Sequence, residues 1–338
     1  MTYPTGFVLE QARVCFAARE EYRLTLGSGR ELAAEPSGKL RAFDELPTAG
    51  DWVDARILGD FALIEKVHPR RTAFVRKAAG KAGGAQCVAA NIDVVFLVCG
   101  LDGDFNPRRL ERYLLLALQS GARPVVVLNK TDLAGASLPS RLAECEAVAP
   151  GIPIVALSAI AAAEAGQLFA FLPPGETAAL LGSSGAGKST IANALMGDAR
   201  LATQAVREHD GKGRHTTTAR MLMQLASGAW LLDTPGMREL GLWSVGEAAM
   251  EEVFAELAPL AAQCRYSDCQ HATEPGCAVQ AALLRGEIPP GRWESFQKLR
   301  RETRHLEIAA DPLLAQDQKR RWKNLHKAQR QHYKLKKR

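Results

Sequence analysis

A glycine-rich segment near the middle of the chain has the residue types and the spacing that bind phosphate. It fits the pattern G-x-x-x-x-G-K-[ST] between a predicted apolar strand at 177–181 and a predicted helix at 187–196. Backbone N–H groups of such a loop surround a phosphate at a helix N-terminus, where the partial positive charge favours an anion. Lys188 can then reach the β- and γ-phosphates of a nucleotide, and Ser189 can bind Mg²⁺. The predicted phosphate-binding residues are Gly182, Ser183, Ser184, Gly185, Ala186, Gly187, Lys188, Ser189 and Thr190.

A second motif predicts which base the nucleotide carries. The strand predicted at 124–128 ends in four polar residues, Asn129, Lys130, Thr131 and Asp132, and ligands collect at the carboxyl ends of parallel strands. The Asp132 carboxylate can accept hydrogen bonds from guanine N1–H and from the exocyclic amine, a pair of donors that adenine lacks. Asn129 can address the opposite edge of the base, and Lys130 can lie along the ring plane. The motif predicts GTP rather than ATP.

Two further motifs complete a guanine-nucleotide set, but in an unusual order. Ser158 and Ala159 follow the strand predicted at 154–157, and a backbone N–H there can contact guanine O6, although a Ser-Ala pair is also common by chance. The Asp-Thr-Pro-Gly motif from Asp233 to Gly236 can supply an outer-sphere carboxylate for Mg²⁺ and a backbone N–H for the γ-phosphate. The guanine-reading motif precedes the phosphate loop, whereas in ordinary GTPases the phosphate loop comes first. This order indicates a circular permutation.

The residue that follows the last motif does not suit the orientation of an attacking water. Many GTPases have a Gln there, but this chain has Met237, which is of little use in proton exchange. The segment 213–218, Gly-Arg-His-Thr-Thr-Thr, lies where a switch loop is expected, and one of its threonines should bind Mg²⁺. His215 is our candidate for orienting the water, because an imidazole titrates near neutrality. The alternative is a solvated loop histidine.

Four potential metal ligands lie close together in the later part of the chain. Cys264, Cys269, His271 and Cys277 offer three thiolates and one imidazole. This is a closed tetrahedral set with no position left for water, which predicts one structural zinc ion. A chance group of buried cysteines is the alternative, and the His in the gap and the Pro-Gly turn before Cys277 argue against it.

The chain begins with a β-rich segment. Apolar runs predict strands at 7–9, 12–16, 21–26, 51–58 and 61–67, separated by turn residues. Five short strands predict an OB-like β-barrel, and a small β-domain without a binding role is the alternative. A Gly/Ala/Lys stretch at 77–85 predicts a linker.

The pattern then changes to strands that alternate with helices, which predicts an α/β domain with a mainly parallel sheet. Besides the strands above, it predicts strands at 92–99, 218–225 and 229–232 and helices at 107–120, 138–148 and 164–171. Later residues predict helices at 246–263 and 293–309, and Asp311-Pro312 predicts the start of another. The predicted domains are 1–71 (OB-like β-barrel), 72–244 (α/β circularly permuted P-loop GTPase domain), 245–310 (helical zinc-binding domain) and 311–338 (basic helical tail).

The basic character of the chain is concentrated at its end. The net charge is +6, but ten Lys and Arg lie within 319–338, where no Asp or Glu occurs. This tail, which also contains aromatic residues, either contacts RNA or is only a solvated terminus. No apolar run approaches the roughly 20 residues of a membrane-spanning helix, and the N-terminus has no signal-peptide pattern. We expect a cytoplasmic monomer that does not bind membranes.

These motifs together resemble the ribosome small subunit-dependent GTPase A family of bacteria over nearly the whole chain. The likeness includes Asn-Ile-Asp at 91–93, Asp-Phe-Asn at 104–106, Arg-Tyr-Leu at 112–114, the segment 213–218 and the spacing of the Cys/His cluster. It implies an N-terminal OB-fold, GTP hydrolysis stimulated by the small ribosomal subunit, and a role late in the maturation of that subunit and its rRNA. It also implies that His215 is the catalytic histidine and that Thr217 is the switch threonine that binds Mg²⁺.

Two functions of different classes remain open at this point. The first is an enzyme that hydrolyses GTP slowly, is accelerated by the small subunit, and is released by hydrolysis. The second is a GTP-gated rRNA-binding scaffold whose turnover is incidental, which Met237 keeps possible. GTP turnover measured with and without small subunits distinguishes the two.

Overall fold

The computed structural model describes residues 9–18, 21–43, 45–77, 85–197, 220–233 and 246–310, and the single positions 316 and 320. The chain divides into two compact units, Met1–Gly241 and Leu242–Arg338. The predicted domain boundaries within these units stay predictions. Among the described residues, no helix has both the length and the apolar composition that crossing a membrane requires.

The first unit begins with a closed five-stranded barrel, which confirms the predicted β-barrel. The strands pair in the order β1-β2-β3-β5-β4, and β4 closes the barrel by pairing with β1. The β3–β5 pair is parallel, and the other pairs are antiparallel. The elements are β1 (Leu9–Ala18), β2 (Glu21–Leu26), β3 (Glu31–Pro36), a short helix α1 (Gly38–Ala42), β4 (Trp52–Leu58) and β5 (Phe61–Val67).

The strands of the barrel differ from the predicted ones at two places. The runs predicted at 7–9 and 12–16 belong to one strand where they are described, because β1 is continuous from Leu9 to Ala18; residues 7 and 8 lie outside the described part. The strand β3 was not predicted. Its inward positions are filled by Leu32 and Ala34, both buried. An alternation with only these two apolar residues in inward positions gives a weak sequence signal for a strand.

The stretch predicted as a linker at 77–85 begins and ends in a β-hairpin. Strands β6 (Ala73–Lys77) and β7 (Ala85–Ala90) pair antiparallel, and Lys77 pairs directly with Ala85. The linker prediction is therefore wrong at both of its ends, because a Gly-rich composition suits a hairpin connection as well as a flexible linker. Residues 78–84 lie outside the described part of the chain.

A mainly parallel sheet with helices follows, which confirms the predicted α/β architecture. The strands lie in the order β10-β9-β8-β11-β13-β12, and only β12 runs antiparallel to its neighbour. Every residue of β8 is buried, as expected for a strand covered on both faces. The strands are β8 (Val94–Gly100), β9 (Arg123–Asn129), β10 (Ile154–Leu157), β11 (Thr177–Gly182), β12 (Arg220–Gln224) and β13 (Trp230–Asp233). The helices are α2 (Pro107–Ser120), α3 (Thr131–Ala134), α4 (Leu138–Val148), α5 (Ala162–Ala165), which continues as a 3-10 helix over Gly166–Phe171, and α6 (Lys188–Met196).

The barrel and the parallel sheet are joined into one sheet of eleven strands. The joint is an antiparallel pairing of β1 with β12, in which Phe16 lies opposite Met221. Beside it, the buried Arg13 donates a hydrogen bond to Thr177 Oγ1 (2.5 Å), and its guanidinium lies over the rings of Trp52 and Trp230. Burial lowers the pKa of Arg13 to about 10.

The Asn-Ile-Asp motif contributes to the same joint. The buried Asn91 donates from Nδ2 to Gly50 O (3.0 Å) in the barrel and accepts at Oδ1 from the backbone N–H of Arg71 (2.9 Å). Asp93 accepts from the backbone N–H of Thr177 (2.9 Å) at the start of β11. This motif, which the sequence offered only as part of a resemblance, therefore attaches the barrel to the strand that leads to the predicted phosphate loop.

The second unit is helical, but its first predicted helix, at 246–263, is broken. The structure has α7 (Glu247–Val253) and α8 (Leu257–Ala261) with an interruption at Phe254. The buried Arg292 occupies the break. Its guanidinium donates to Val253 O (2.6 Å) and to the carboxylate of Glu256 (2.6 Å) and lies 4.4 Å from the ring of Phe254. A side chain more than thirty positions away thus satisfies a carbonyl that an unbroken helix would have used itself.

Two later helices complete the described part of this unit. The short helix α9 (Ala278–Leu284) was not predicted, and α10 (Pro290–Ala310) contains the helix predicted at 293–309. Trp293 and Phe296 on α10 stack with ring centroids 5.4 Å apart, and Phe254 packs edge-on against Phe296. The Asp311-Pro312 helix start lies outside the described residues, as does nearly all of the predicted tail.

Candidate functional site

The predicted nucleotide motifs lie at the carboxyl ends of parallel strands. Strands β10, β9, β8, β11 and β13 are parallel neighbours in that order, so their carboxyl ends share one edge of the sheet. The chain passes from β8 to β9 and β10 on one side and then returns to place β11 on the other side of β8. Such a change of direction opens the crevice in which ligands bind in α/β sheets.

Asn129 connects three of the predicted motifs. Its side chain is buried, with 2% of the residue exposed, at the end of β9. Nδ2 donates to Ala186 O in the phosphate loop (2.9 Å), and Oδ1 accepts from the backbone N–H of Ala159 (2.9 Å). The amide therefore uses both of its ends to fix the phosphate loop and the Ser-Ala motif relative to the guanine-reading motif.

Two glycines of the phosphate loop are required by close packing. A Cβ at Gly187 would lie 2.0 Å from Asn129 Nδ2, and this glycine has a φ of +97°, which disfavours residues with a side chain. A Cβ at Gly182 would lie 2.3 Å from Val98 O on the neighbouring strand β8. The glycines predicted to wrap a phosphate thus also allow the loop to lie against β8 and Asn129.

The guanine end of the site holds its predicted acceptor in place. Asp132 is exposed, and its Oδ1 accepts a hydrogen bond from Ser158 Oγ (2.5 Å). The backbone N–H of Ser158 donates to Glu164 Oε2 (2.7 Å). Lys130, in a left-handed conformation with φ +68°, forms an ion pair with Asp102. The hydrogen bond from Lys130 lowers the pKa of Asp102. Thr131, the remaining residue of the motif, begins α3.

The phosphate end of the site presents the first turn of α6. Gly187 caps this helix in a left-handed conformation and offers no side chain to the first N–H groups. Ser189 and Thr190 in the first turn are exposed, as are Ser184 and Gly185 in the loop. Lys188 Nζ donates to Gly182 O (2.7 Å) and to the carbonyl of Ser183. The positive end of the helix and one ammonium group thus lie together where a phosphate is predicted.

Only some of the residues predicted for Mg²⁺ binding and catalysis lie within the described ranges. Asp233 ends β13, the neighbour of β11, and so lies at the same edge of the sheet. Gly236, Met237, His215 and Thr217 lie outside the described residues, and their roles stay predictions.

Four residues of this region carry contacts that sequence reasoning did not assign. Glu164 accepts a hydrogen bond from the backbone N–H of Ser158, and Asp102 forms an ion pair with Lys130. Asp104 accepts a hydrogen bond from Ser183 Oγ and forms an ion pair with Arg109. Asp104 belongs to the Asp-Phe-Asn segment at 104–106, so the resemblance held a signal for it. For Asp102 and Glu164 the sequence offered none, because isolated carboxylates on a surface are common.

The structure brings the four predicted metal ligands together. The Sγ atoms of Cys264 and Cys277 are 3.9 Å apart, and each lies 3.5 Å from His271 Nδ1. All four ligand atoms, including Cys269 Sγ, lie within 4.8 Å of one another. A tetrahedral site with Zn–S bonds of about 2.3 Å and Zn–N bonds of about 2.0 Å requires S–S and S–N separations of about 3.8 and 3.5 Å. The cluster fits a metal ion of that geometry.

The surroundings of the cluster shift the pKa values of three ligands in different directions: desolvation raises the pKa of the Cys269 thiol to about 11, whereas the pKa values of His271 and Cys264 are lowered. Burial lowers the pKa of His271, assisted by the positive charge of Arg300, which favours the neutral imidazole. Partial burial opposes ionisation of Cys264, but hydrogen bonds from the N–H groups of Ala278 and Val279, at the start of α9, outweigh it and lower the pKa of the thiol. His271 is further fixed by Gln280, whose Nε2 donates to the His271 carbonyl (2.6 Å).

Comparison with known proteins agrees with this geometry. Residues 67–243 match the family model described as RsgA GTPase. A protein from Opitutus terrae named small ribosomal subunit biogenesis GTPase RsgA is 45% identical over 337 residues, which cover 97% of this chain and 90% of that protein. A protein of the same name from Streptomyces avermitilis is 43% identical and covers 85% of this chain and 80% of its own length.

Solved structures show the same fold. The crystal structure of YjeQ from Thermotoga maritima superposes with a TM-score of 0.67 and 26% identity, covering 88% of this chain and 99% of that one. The structure of YloQ, described as a circularly permuted GTPase, gives a TM-score of 0.63 at 18% identity and covers 90% of this chain and 98% of that one. The order of motifs in the sequence, their convergence at one sheet edge and these likenesses lead to one conclusion: the chain belongs to the RsgA GTPase family.

Proposed function

We propose that this chain hydrolyses GTP to GDP and phosphate during late maturation of the small ribosomal subunit. In this proposal the subunit stimulates turnover, hydrolysis drives release of the protein, and the protein acts as a cytoplasmic monomer. The names of its relatives support the role in small-subunit biogenesis. The observation that carries the nucleotide part is the pair of hydrogen bonds at the Asn129 side chain, which donates to Ala186 O and accepts from the Ala159 N–H and so joins the guanine-reading motif to the phosphate loop and to Ala159.

We assign the base and phosphate contacts to residues at the two ends of this network. Asp132 accepts from the guanine N1–H and amine, while backbone N–H groups of residues 182–190 and the Lys188 ammonium bind the phosphates. The exposed position of Asp132 and the uncapped first turn of α6 support this assignment, because both present their groups to solvent at the same sheet edge. ATP is disfavoured, since its base offers Asp132 no matching pair of donors.

Mg²⁺ would be held by the hydroxyl of Ser189 and by Thr217, with Asp233 in its outer sphere. The donor set fits, because hydroxyl and carboxylate oxygens are the ligands that Mg²⁺ prefers. Ser189 lies in the helix that follows β11, and Asp233 ends the neighbouring strand β13. When bound, the ion would neutralise charge that develops on the β- and γ-phosphates. Gly236 would donate its backbone N–H to the γ-phosphate, and His215 would orient the attacking water in place of the glutamine that Met237 replaces.

We propose that the Cys/His cluster holds one zinc ion in a structural role. The separations between its ligand atoms support zinc, as does the set of three thiolates and one imidazole, which leaves no open position for substrate or water.

Contact with rRNA is assigned to the barrel and to the basic tail. Support for the tail comes from its sequence alone, ten cationic residues with no acid between 319 and 338. Each phosphate that the tail neutralises releases counterions, so deleting residues 319–338 should weaken subunit binding and flatten its salt dependence by several units of log–log slope. If the affinity for subunits and the salt slope do not change, the tail is only a solvated terminus.

The deciding experiment is GTP turnover with and without purified small subunits. We expect slow turnover by the protein alone and an increase of at least about 100-fold at saturating subunits, the scale that positioning of one catalytic group supplies. Turnover that subunits leave unchanged, combined with GTP-dependent subunit binding, would favour the scaffold instead. Failure to bind GTP at all would reject both.

A further inference from the structure

A short loop between β8 and α2 carries two carboxylates that each contact a nucleotide motif. We call residues 101–106 the acidic loop. Asp104 accepts a hydrogen bond from Ser183 Oγ in the phosphate loop, and Asp102 forms an ion pair with Lys130 in the guanine-reading motif. Neither carboxylate is among the residues proposed to bind the nucleotide or to catalyse its hydrolysis.

The acidic loop is held at both of its ends. At its start, the backbone N–H of Leu101 donates to Asn129 O (2.9 Å). At its end, the Asn106 side chain caps α2 by accepting from the backbone N–H groups of Arg108 (2.9 Å) and Arg109 (3.3 Å). A loop anchored in this way places its side chains with little conformational freedom, which positioning requires.

A third anchor fixes Asp104 itself. Arg109 on the first turn of α2 donates from Nη2 to the backbone carbonyl of Asp104 (2.7 Å) and to its Oδ1 (2.8 Å), while Oδ2 accepts from Ser183. The guanidinium also offsets a negative charge that would otherwise repel nucleotide phosphates nearby. Ser183 in turn accepts the Lys188 ammonium at its carbonyl. A continuous set of contacts thus runs from Arg109 through Asp104 and Ser183 to the lysine of the phosphate loop.

We propose that Asp104 and Asp102 are positioning residues for nucleotide binding. Asp104 holds the start of the phosphate loop in its binding geometry through the Ser183 hydroxyl, and Asp102 holds Lys130 in place beside the guanine. The inference rests on the proposed GTP site. It extends that site to a loop that touches neither base nor phosphate directly in our assignment, and it gives the Asp-Phe-Asn segment at 104–106 a physical function.

Double-mutant cycles on the full-length, metal-loaded protein test the proposal, with a fluorescent GDP analogue as the probe. Asp104→Ala should weaken GDP binding about tenfold, the scale of one lost charge-assisted hydrogen bond. Ser183→Ala should weaken it similarly, and the double variant should bind no more weakly than either single variant, because all three lose the same contact. Asp102→Ala and Lys130→Ala should also be non-additive, with the double variant matching Lys130→Ala, which loses both the ion pair and the contact with the base.

Three further measurements separate positioning from a general loss of structure. Ser183→Thr keeps the hydroxyl that donates to Asp104 and should retain most of the affinity that Ser183→Ala loses. In steady-state turnover, KM for GTP should rise with the dissociation constant while kcat changes less. Asp60→Ala removes a comparable carboxylate, the partner of Arg30 in the turn between β4 and β5 of the barrel, which has no part in the acidic loop or the nucleotide motifs, and should leave GDP affinity unchanged.

The outcomes are distinguishable from failure of the proposed function. If the unmodified protein does not bind GDP, the nucleotide site itself is wrong. If it binds GDP and the Asp104→Ala and Ser183→Ala effects are absent or simply additive, the site stands and the positioning function is rejected. Loss of affinity in Ser183→Thr equal to that in Ser183→Ala would also reject it.

Discussion

The two clusters of functional side chains in this protein are assembled over very different lengths of sequence. The four metal ligands lie between positions 264 and 277, whereas the described nucleotide motifs extend from Asn129 to Asp233. The ligands of the first cluster meet through local turns. The motifs of the second meet because five parallel strands end at one edge, where Asn129 ties them together with hydrogen bonds within the protein. We therefore expect the short-range cluster to depend on a bound ion for its structure, whereas the long-range site is held together by the sheet.

Removal of the metal is the strongest test of this difference. Chelation, or Cys277→Ser, should abolish the folded structure of the second unit, because a structural zinc contributes about 10–16 kcal/mol to folding of its own domain. GDP affinity should change less than twofold, since no bond of the nucleotide network described here includes a metal ligand. Metal content, far-UV circular dichroism and GDP titration on one sample provide the measurement. Equal loss of GDP binding and helical structure would contradict the independence of the nucleotide site from the metal cluster.

The base preference is the next largest effect. Asp132→Asn should weaken GDP binding by about two to three orders of magnitude and improve binding of xanthosine diphosphate, whose C2 oxygen needs a donor rather than an acceptor. Competition of GDP, XDP and ADP against a fluorescent GDP analogue measures the change. Ser158→Ala, which removes only the hydroxyl that holds Asp132, serves as a milder control. Equal competition by ADP and GDP against the unmodified protein would contradict the assignment.

Within the nucleotide region, substitution of the proposed catalytic residue should lower turnover without lowering nucleotide affinity. His215→Ala should lower subunit-stimulated turnover about 100-fold with GTP affinity nearly unchanged, because a group that orients water acts mainly in the transition state. Single-turnover hydrolysis and equilibrium binding measure the two quantities separately. A loss of affinity without a loss of turnover per bound GTP would make His215 a structural residue.

The smallest effect is a difference of about 1–2 kcal/mol between substitutions at two glycines, which reports how tightly the long-range site is packed. Gly185 and Gly187 both have positive φ, but a Cβ at Gly185 meets no protein atom within 4 Å, whereas one at Gly187 meets Asn129. Gly185→Ala should cost about 1–2 kcal/mol from backbone strain alone, and Gly187→Ala about 3 kcal/mol or more, because it also displaces a buried amide. Urea midpoints without nucleotide compare the two, and equal costs would mean that Asn129 adjusts freely.

Much of the fold could be predicted because its signals are local. Helix α2 occupies Pro107–Ser120 as predicted, because the capping Asn106, the proline at its first position and the left-handed Gly121 at its end are all neighbours in sequence. The buried strands β8, β9 and β11 were found from their continuous apolar runs. The predicted linker failed for the opposite reason, since a Gly-rich composition does not reveal that Lys77 and Ala85 pair.

The sequence by itself determined the order of the motifs, and hence the permutation, and it predicts the base preference and the metal ligands, because each depends only on residue types and short spacings. The tertiary structure decided which distant groups meet. It placed Arg292 in the break between α7 and α8, joined β12 to β1 so that the barrel and the parallel sheet are one, and set Asp102 and Asp104 against the two halves of the nucleotide site. Such contacts depend on how elements far apart in sequence pack against one another, and no local pattern of residues encodes that packing.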